Sequence, residues 1–171
     1  WGFALGLAAS VAIAFQAWGL GMALLLLSRL LDGMDGALAR LTQPTVRGGF
    51  LDITLDFVFY GAVVLGFALA DPAANALAAA VLLTSFIGTG SSFLAYAVMA
   101  RQLGLSDPAP LRKSFHYLGG FTEAGETLLV FCAMCIWPAY FAGIALGFSA
   151  LCFVTWVVRM RVAYAIFKEP S

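Results

Sequence analysis

The sequence has few charged residues and a single histidine. Charged residues make up 11% of the 171 residues, and hydrophobic residues make up 63%. A soluble domain typically carries about 25% charged and about 45–50% apolar residues, so this composition excludes a water-soluble globule. It also excludes a disordered chain and a basic nucleic-acid-binding domain, since nine Lys and Arg balance nine Asp and Glu. With a mean hydropathy of +0.97, the chain is predicted to be a membrane protein that binds no nucleic acid.

Cysteine is also scarce, which excludes a small secreted module held together by disulfides. The three cysteines are Cys132, Cys135 and Cys152. Cys132 and Cys135 have CxxC spacing, but they lie in a wholly apolar run, whereas a redox or zinc site needs polar or electropositive surroundings. We therefore interpret this pair as small residues that pack in a helix.

Apolar runs and their breakers divide the chain into six predicted transmembrane helices, because about 20 apolar residues are needed for each crossing. The predicted helices cover approximately residues 2–17, 19–41, 48–70, 73–100, 115–137 and 138–164. The sequence thus predicts an all-α integral membrane bundle forming one domain over residues 1–171. Because the chain begins at Trp1, we expect an N-terminal lead-in to be missing.

The cations of the chain all fall on one side of this six-helix arrangement. They flank the connection between helices 2 and 3, lie in the connection between helices 4 and 5, or end or follow helix 6. Cytoplasmic loops carry an excess of Lys and Arg, so both termini and these two connections are predicted to be cytoplasmic. We expect a multi-pass protein of the inner or plasma membrane, with its active site at the cytoplasmic face.

Four aspartates lie close together in helices 2 and 3, although the whole chain has only nine acidic residues. A carboxylate in or near the bilayer is costly and is by default a functional residue. Asp32 and Asp35 are three residues apart, and Asp52 and Asp56 are four apart, so each pair shares one helix face. The short connection between the two helices allows these faces to meet.

Four carboxylates in one pocket would repel one another strongly unless cations were present. Their hard oxygens suit Mg²⁺ or Mn²⁺, and two such ions can serve a phosphoryl-type displacement on a phosphate-bearing substrate. Gly36 leaves the helix face bare for the approach of a ligand. Arg40 can bind a phosphate through two hydrogen bonds.

The motif DxxDGxxAR…GxxxDxxxD resembles the signature of the class I CDP-alcohol phosphotransferases. All eight signature positions are matched, namely Asp32, Asp35, Gly36, Ala39, Arg40, Gly48, Asp52 and Asp56. The spacer between Arg40 and Gly48 is one residue shorter than usual, and we place the missing residue in the loop of residues 41–44.

The resemblance implies transfer of a phosphatidyl group from a CDP-linked lipid, usually CDP-diacylglycerol, to a small alcohol with release of CMP. It implies that Asp32, Asp35 and Asp52 hold two metal ions, while Asp56 helps to hold the second ion and is the base for the acceptor hydroxyl. Gly36, Arg40 and Thr45 match positions that contact the CDP group. The other implied partners are the lipid bilayer and a second copy of the chain in a homodimer.

Several other polar residues are candidates for the acceptor side of the site. Glu123 and Glu126 share a helix face, and they either contact the acceptor or make hydrogen bonds between helices. Arg112 and Lys113 either bind an anionic acceptor or serve only to set the topology. Arg159 is a second candidate for an acceptor phosphate. The acceptor itself, whether glycerol phosphate, inositol phosphate, serine or another alcohol, is not named by these residues.

Two other functional classes also use aspartates in a membrane. A cation carrier or channel would use them as an ion pathway, but it has no need of Gly36, Ala39 and Arg40 beside them. An intramembrane prenyltransferase also binds pyrophosphate through aspartates and Mg²⁺, but its usual aspartate motifs differ and six spans would be few. We keep both as alternatives to the transferase.

Overall fold

The structure, a computed structural model, describes residues 1–41, 45–104 and 124–167, apart from the side chains of residues 38–40. These ranges contain six α-helices and no strand, which confirms the all-α prediction. The helices are α1 (Gly2–Ala14), α2 (Trp18–Leu41), α3 (Val46–Ala70), α4 (Pro72–Gln102), α5 (Ala124–Ile136) and α6 (Phe141–Ile166), with a 3₁₀ turn at Pro138–Tyr140 before α6.

Three helices are long and apolar enough to cross a bilayer, which supports the prediction of a membrane protein. They are Val46–Ala70, Pro72–Gln102 and Pro138–Ile166. The apolar helices Gly2–Ala14 and Ala124–Ile136 are shorter within the described part of the chain. The six-span count, the side on which the termini lie and the single domain remain predictions.

Several helix boundaries differ from the sequence prediction by a few residues, and two of these differences have a clear local cause. The predicted start of the fifth helix at residue 115 lies outside the described residues. The first helix ends at Ala14 rather than at residue 17, because Gln16 adopts a positive φ of 62° that interrupts the helix. The third helix begins at Val46, two residues earlier than predicted. Thr45 has an extended backbone there, and its side-chain oxygen accepts a hydrogen bond from the backbone N–H of Gly48 at 3.0 Å. This is an N-cap, which satisfies a backbone donor that the helix leaves unpaired.

The chain divides into two compact units, of which the first comprises Trp1–Ala79 and Phe131–Gly143. In this unit α1 packs against both α2 and α3. Phe59, Val63 and Phe67 are fully buried and recur every four residues along one face of α3. The Phe67 ring stacks on Phe141 at a centroid distance of 4.8 Å and on Trp18 at 5.8 Å. The core of this unit is therefore built on α3, the helix that carries Asp52 and Asp56.

Small residues allow α1 to approach its neighbours closely. A Cβ atom at Gly66 of α3 would lie 2.5 Å from the carbonyl oxygen of Ser10, and one at Gly6 of α1 would lie 2.8 Å from Cε2 of Phe59. The Ser28 hydroxyl of α2 donates a hydrogen bond of 2.7 Å to the carbonyl oxygen of Gly2. Small residues and interhelical hydrogen bonds of this kind hold helices together in membranes, where lipid removes the hydrophobic driving force.

The turn between α1 and α2 also contacts the end of α3. The side-chain amide of Gln16 donates a hydrogen bond of 2.9 Å from Nε2 to the carbonyl oxygen of Ala70, the last residue of α3. The last four carbonyl groups of a helix have no partner within it, so this bond satisfies one of them.

The second unit comprises Ala80–Val130 and Ile144–Ser171. Leu82 of α4 and Phe148 and Cys152 of α6 are buried in it. A Cβ atom at Gly88 would lie 3.0 Å from the Trp156 ring, so that ring packs closely against α4 at this glycine. All three cysteines of the chain are free, as expected for packing residues.

Candidate active site

The four aspartates lie on two helices, as the sequence predicts. Asp32 and Asp35 belong to the last part of α2, and Asp52 and Asp56 belong to the first half of α3. Asp32 and Asp56 are half-buried, whereas Asp35 and Asp52 are exposed. Asp32 interacts electrostatically with the other three carboxylates, so the two pairs form one negatively charged cluster.

Arg29 of α2 joins the two helices at this cluster. Its Nη1 atom lies 2.6 Å from Oδ1 of Asp56 and 3.3 Å from Oδ2 of Asp32. Because both carboxylates contact the same nitrogen, their two oxygens are separated by no more than the sum of these distances. An ion pair therefore brings together one member of each aspartate pair.

The guanidinium of Arg29 is itself held in place by an aromatic ring. Its central carbon lies 4.0 Å from the centroid of the Phe59 ring, and only 13% of the side chain is exposed. Such stacking is favourable because the face of an aromatic ring attracts a cation. Tyr60, the next residue, interacts electrostatically with both Arg29 and Asp56.

The sequence pattern assigns Arg29 to the cations that orient the helices and not to the site. One signal could have found it: Arg29 precedes Asp32 by three residues on the same helix, and this spacing places the two side chains on one face. The contact with Asp56, 27 residues further along the chain, depends on how α2 and α3 pack and carries no signal of its own in the sequence.

The residues predicted to contact the CDP group are described to different extents. Gly36 is half-exposed within α2, and Thr45 caps α3 through its bond to Gly48. The hydroxyl oxygen of Thr45 thus already has a structural role at the start of α3. Arg40 lies in the last turn of α2, but its side chain is outside what the structure describes. The missing residue is predicted to fall in the loop 41–44, of which the structure describes only Leu41.

Most of the predicted acceptor-side residues also lie outside the described residues, namely Arg112, Lys113 and Glu123. Glu126 is half-buried in the first turn of α5. Arg159 belongs to α6, in the second unit. Its Nη1 donates a hydrogen bond of 2.7 Å to the carbonyl oxygen of Thr89 and lies 3.5 Å from the hydroxyl of Ser92. Its central guanidinium carbon is 5.8 Å from the centroid of the Phe93 ring.

The chemistry of the aspartate cluster fits a divalent metal. Four carboxylates supply only hard oxygen donors, which Mg²⁺ and Mn²⁺ prefer over softer metals. Within residues 1–41, 45–104 and 124–167, no three acidic, histidine or cysteine side chains are already arranged around a common point for an ion. The ion pairs with Arg29 engage one oxygen each of Asp32 and Asp56, and each carboxylate has a second oxygen that can coordinate a metal.

Comparison with known proteins shows the family to which the chain belongs. Residues 2–167 match the family model of CDP-alcohol phosphatidyltransferase. The chain belongs to this family. As a member of this family, it is an enzyme that performs phosphatidyl-type transfer. The family predicted from the motif of aspartates and glycines is therefore confirmed. Enzymes of this family generally depend on divalent metals and use CDP-alcohol substrates with an alcohol acceptor.

Two curated relatives of this CDP-alcohol phosphatidyltransferase cover most of the chain. It is 50% identical over 168 residues to Inner membrane protein YnjF of Escherichia coli (strain K12), covering 98% of this chain and 82% of that protein. It is 30% identical over 165 residues to Archaetidylinositol phosphate synthase of Methanothermobacter thermautotrophicus, covering 93% of this chain and 77% of that protein. No solved structure matches the chain.

Proposed function

We propose that this enzyme transfers a phosphatidyl group from CDP-diacylglycerol, or a similar CDP-linked lipid, to a small alcohol and releases CMP. The observation that carries the proposal is the contact of Asp32 and Asp56, from two helices, with the same nitrogen of Arg29. This shared contact supports the proposal that the two aspartate pairs of the family signature act as one site. The proposed location is the inner or plasma membrane, with the cluster at the cytoplasmic face.

The aspartates have two proposed roles. Asp32, Asp35, Asp52 and Asp56 would hold Mg²⁺ or Mn²⁺ as a two-ion site, and the ions when bound would neutralise the pyrophosphate. Asp56 is also the proposed base, and its carboxylate accepts the proton of the acceptor hydroxyl. Gly36, Arg40 and Thr45 are proposed to bind the CDP group, with the Arg40 guanidinium donating to phosphate oxygens.

The proposed reaction is a displacement at the lipid-bearing phosphorus. The acceptor oxygen forms a bond to this phosphorus as its proton passes to Asp56. The bond from the phosphorus to the bridging oxygen of the pyrophosphate breaks, and its electron pair leaves with CMP. Holding Asp56 near the bound alcohol makes the attacking oxygen more nucleophilic as the new bond forms.

Arg159 is an acceptor-side candidate whose side chain is held in place within the second unit. Its hydrogen bond to the Thr89 carbonyl fixes the guanidinium against α4, and a fixed guanidinium can hold a phosphate through paired hydrogen bonds. We propose that it binds an acceptor that carries a phosphate, with Arg112, Lys113, Glu123 and Glu126 as further acceptor-side residues. A phosphorylated alcohol is the acceptor class that this choice favours. A homodimer remains part of the proposal.

The decisive experiment is an assay of the purified protein in lipid nanodiscs with CDP-diacylglycerol and a panel of alcohols. CMP is quantified by chromatography, and the lipid product is identified by mass spectrometry. We expect CMP release that stops with EDTA and returns with Mg²⁺ or Mn²⁺. Absence of CMP release with every acceptor would contradict the proposal, and release of inorganic pyrophosphate from a prenyl substrate would favour a prenyltransferase instead. Cation flux through the same protein in liposomes would favour a carrier or channel.

The same assay tests Arg159 through substitution. Arg159→Gln is expected to raise the KM for a phosphorylated acceptor roughly 10- to 100-fold, because loss of a charge-assisted pair of hydrogen bonds costs on the order of 1.5–3 kcal/mol. Arg161→Gln is the matched control, since Arg161 is exposed two residues further along α6. An equal change in the KM of phosphorylated and unphosphorylated acceptors would contradict a role in phosphate binding.

A further inference from the structure

The ion pair between Arg29 and Asp56 has a mechanistic consequence if Asp56 is the base. We infer that Arg29 is a positioning residue: it fixes the carboxylate of Asp56 for proton transfer, and its charge sets how tightly the aspartate cluster binds divalent cations. The inference rests on the proposed function, and it adds to the family signature a residue that lies outside it.

The surroundings of Arg29 suit a fixed rather than a mobile cation. The guanidinium lies over the Phe59 ring and contacts Asp32 from its own helix and Asp56 from α3. Arginine loses much rotational freedom when it is held on several sides, and its planar guanidinium then presents its donors in a fixed geometry. A side chain that served only to set topology would instead extend toward water.

The pairing selects one oxygen of the proposed base. Nη1 of Arg29 contacts Oδ1 of Asp56, and a carboxylate that is held at one oxygen can turn only to a limited extent. Its other oxygen is then directed by the Arg29 contact and by the helix. In the proposed reaction one lone pair of this second oxygen accepts the proton from the acceptor hydroxyl, and its other lone pair is the one available to a metal ion. Loss of the pairing would leave the carboxylate able to rotate, which lowers turnover more than substrate binding.

Phe59 and Gly6 form the support beneath the guanidinium. Phe59 is fully buried, and Gly6 of α1 faces its ring so closely that any side chain at position 6 would displace the ring. The position of Arg29 is therefore linked to the packing of α1 through one aromatic ring. This arrangement gives the first helix a role in the site although none of the aspartates lies on it.

The charge of Arg29 has an effect that is separable from its geometry. A positive charge in contact with two of four carboxylates opposes the binding of further cations to the same cluster. Removal of this charge should therefore strengthen divalent cation binding even as it impairs turnover. A residue that only stabilised the fold would not change these two properties in opposite directions.

The test compares Arg29→Gln, Arg29→Lys and the control Arg161→Gln. Binding of Mn²⁺ to the purified protein without lipid substrate is followed by electron paramagnetic resonance of the free ion, and kcat and KM are measured for CMP release. We expect Arg29→Gln to bind Mn²⁺ roughly threefold more tightly or better, because one positive charge is lost beside the cluster. Its kcat should fall roughly tenfold or more with a much smaller change in the KM for the CDP-lipid.

Arg29→Lys separates charge from geometry. Lysine keeps the positive charge but cannot lie flat on Phe59 while donating to both carboxylates. We expect Mn²⁺ affinity close to that of the wild type together with a kcat that is still reduced. Arg161→Gln should leave both properties unchanged.

Different outcomes would overturn the inference and the proposed function separately. Wild-type protein that releases no CMP contradicts the proposed function. If the wild type is active, unchanged or weaker Mn²⁺ binding by Arg29→Gln overturns the inference, as does an unchanged kcat. Should Arg29→Gln fail to fold, the Mn²⁺ affinity and kcat of Arg29→Lys decide, and wild-type values for both overturn the inference.

Discussion

Gly66 of α3 meets the backbone of α1 at Ser10, where a Cβ atom at position 66 would lie 2.5 Å from the carbonyl oxygen. Real Cβ atoms do not approach an oxygen so closely, and a backbone carbonyl cannot move away as the end of a flexible side chain can. The crossing of α1 and α3 therefore requires a glycine here. Since α3 carries Asp52 and Asp56, this crossing also positions half of the aspartate cluster.

Gly66→Ala is expected to reduce stability by about 1–3 kcal/mol, because the added methyl group forces the two helices apart. Thermal unfolding of the purified protein in detergent measures the change. Gly143→Ala is the matched control, since a Cβ atom at that helical glycine meets nothing within 4 Å. There we expect no loss of stability, because alanine is the better helix former. Equal stability of the two variants would contradict the close crossing.

Gly6→Ala is expected to impair activity without touching any aspartate. The new methyl group must displace the Phe59 ring on which Arg29 stacks, so we expect a lower kcat and a smaller change in the KM for the CDP-lipid. Combination with Arg29→Gln supplies the check. Because both changes act through one ring, the double variant should lose less activity than the two single losses multiplied together. If the loss of activity in the double variant equalled the product of the two single losses, Gly6 would not act through Arg29.

Asp56→Asn should abolish most turnover and largely spare binding of the CDP-lipid. Asparagine nearly matches the shape of aspartate but cannot accept the proton, and loss of a general base costs roughly 100-fold or more in rate. CMP release and equilibrium binding of the donor are measured side by side. Asp71→Asn is the matched control, because Asp71 accepts a bond from the N–H of Ala74 at the start of α4 and asparagine caps helices equally well. Turnover close to wild type in Asp56→Asn would remove the base assignment.

Asp32→Ala should weaken metal and nucleotide binding together. Asp32 is the proposed metal ligand that interacts with all three other carboxylates, and loss of even an outer partner of a ligand typically costs roughly 10–100-fold in metal affinity. Titration with Mn²⁺ and binding of a cytidine nucleotide measure the two effects. A variant that lost nucleotide affinity but bound Mn²⁺ normally would indicate that Asp32 contacts the nucleotide directly.

The parts of this protein that the sequence predicts well are those governed by local rules. Apart from the start of α5, the apolar runs place the ends of the described helices within a few residues, because the breaks at Pro72 and Thr45 depend on neighbouring residues. The positions of Asp32 and Asp56 on two helices likewise follow from spacing within each helix. The chemical class of the cluster is accessible from the sequence because four acids on apolar helices in or near a bilayer are costly.

The parts that the sequence does not predict depend on contacts between distant segments. The stacking of Arg29 on Phe59 joins residues on two helices, and the Gly6 contact adds a third. No periodicity links these positions, and small residues such as Gly6 and Gly66 suggest close packing without naming the partner. From the sequence alone Arg29 belongs with the cations that orient the bundle, because a topological role and a role in the site use the same residue type.

The contact of Gln16 with Ala70 has a consequence for protein engineering. A flexible linker of glycines would accommodate the positive φ at position 16, but it would leave the final carbonyl of α3 without its amide donor. An asparagine tolerates that backbone conformation yet is one methylene shorter. Insertion of a reporter, or new termini from circular permutation, in the turn between α1 and α2 would thus alter that turn and also fray the last turn of α3. Reporter insertions and new termini are therefore better placed elsewhere on the chain.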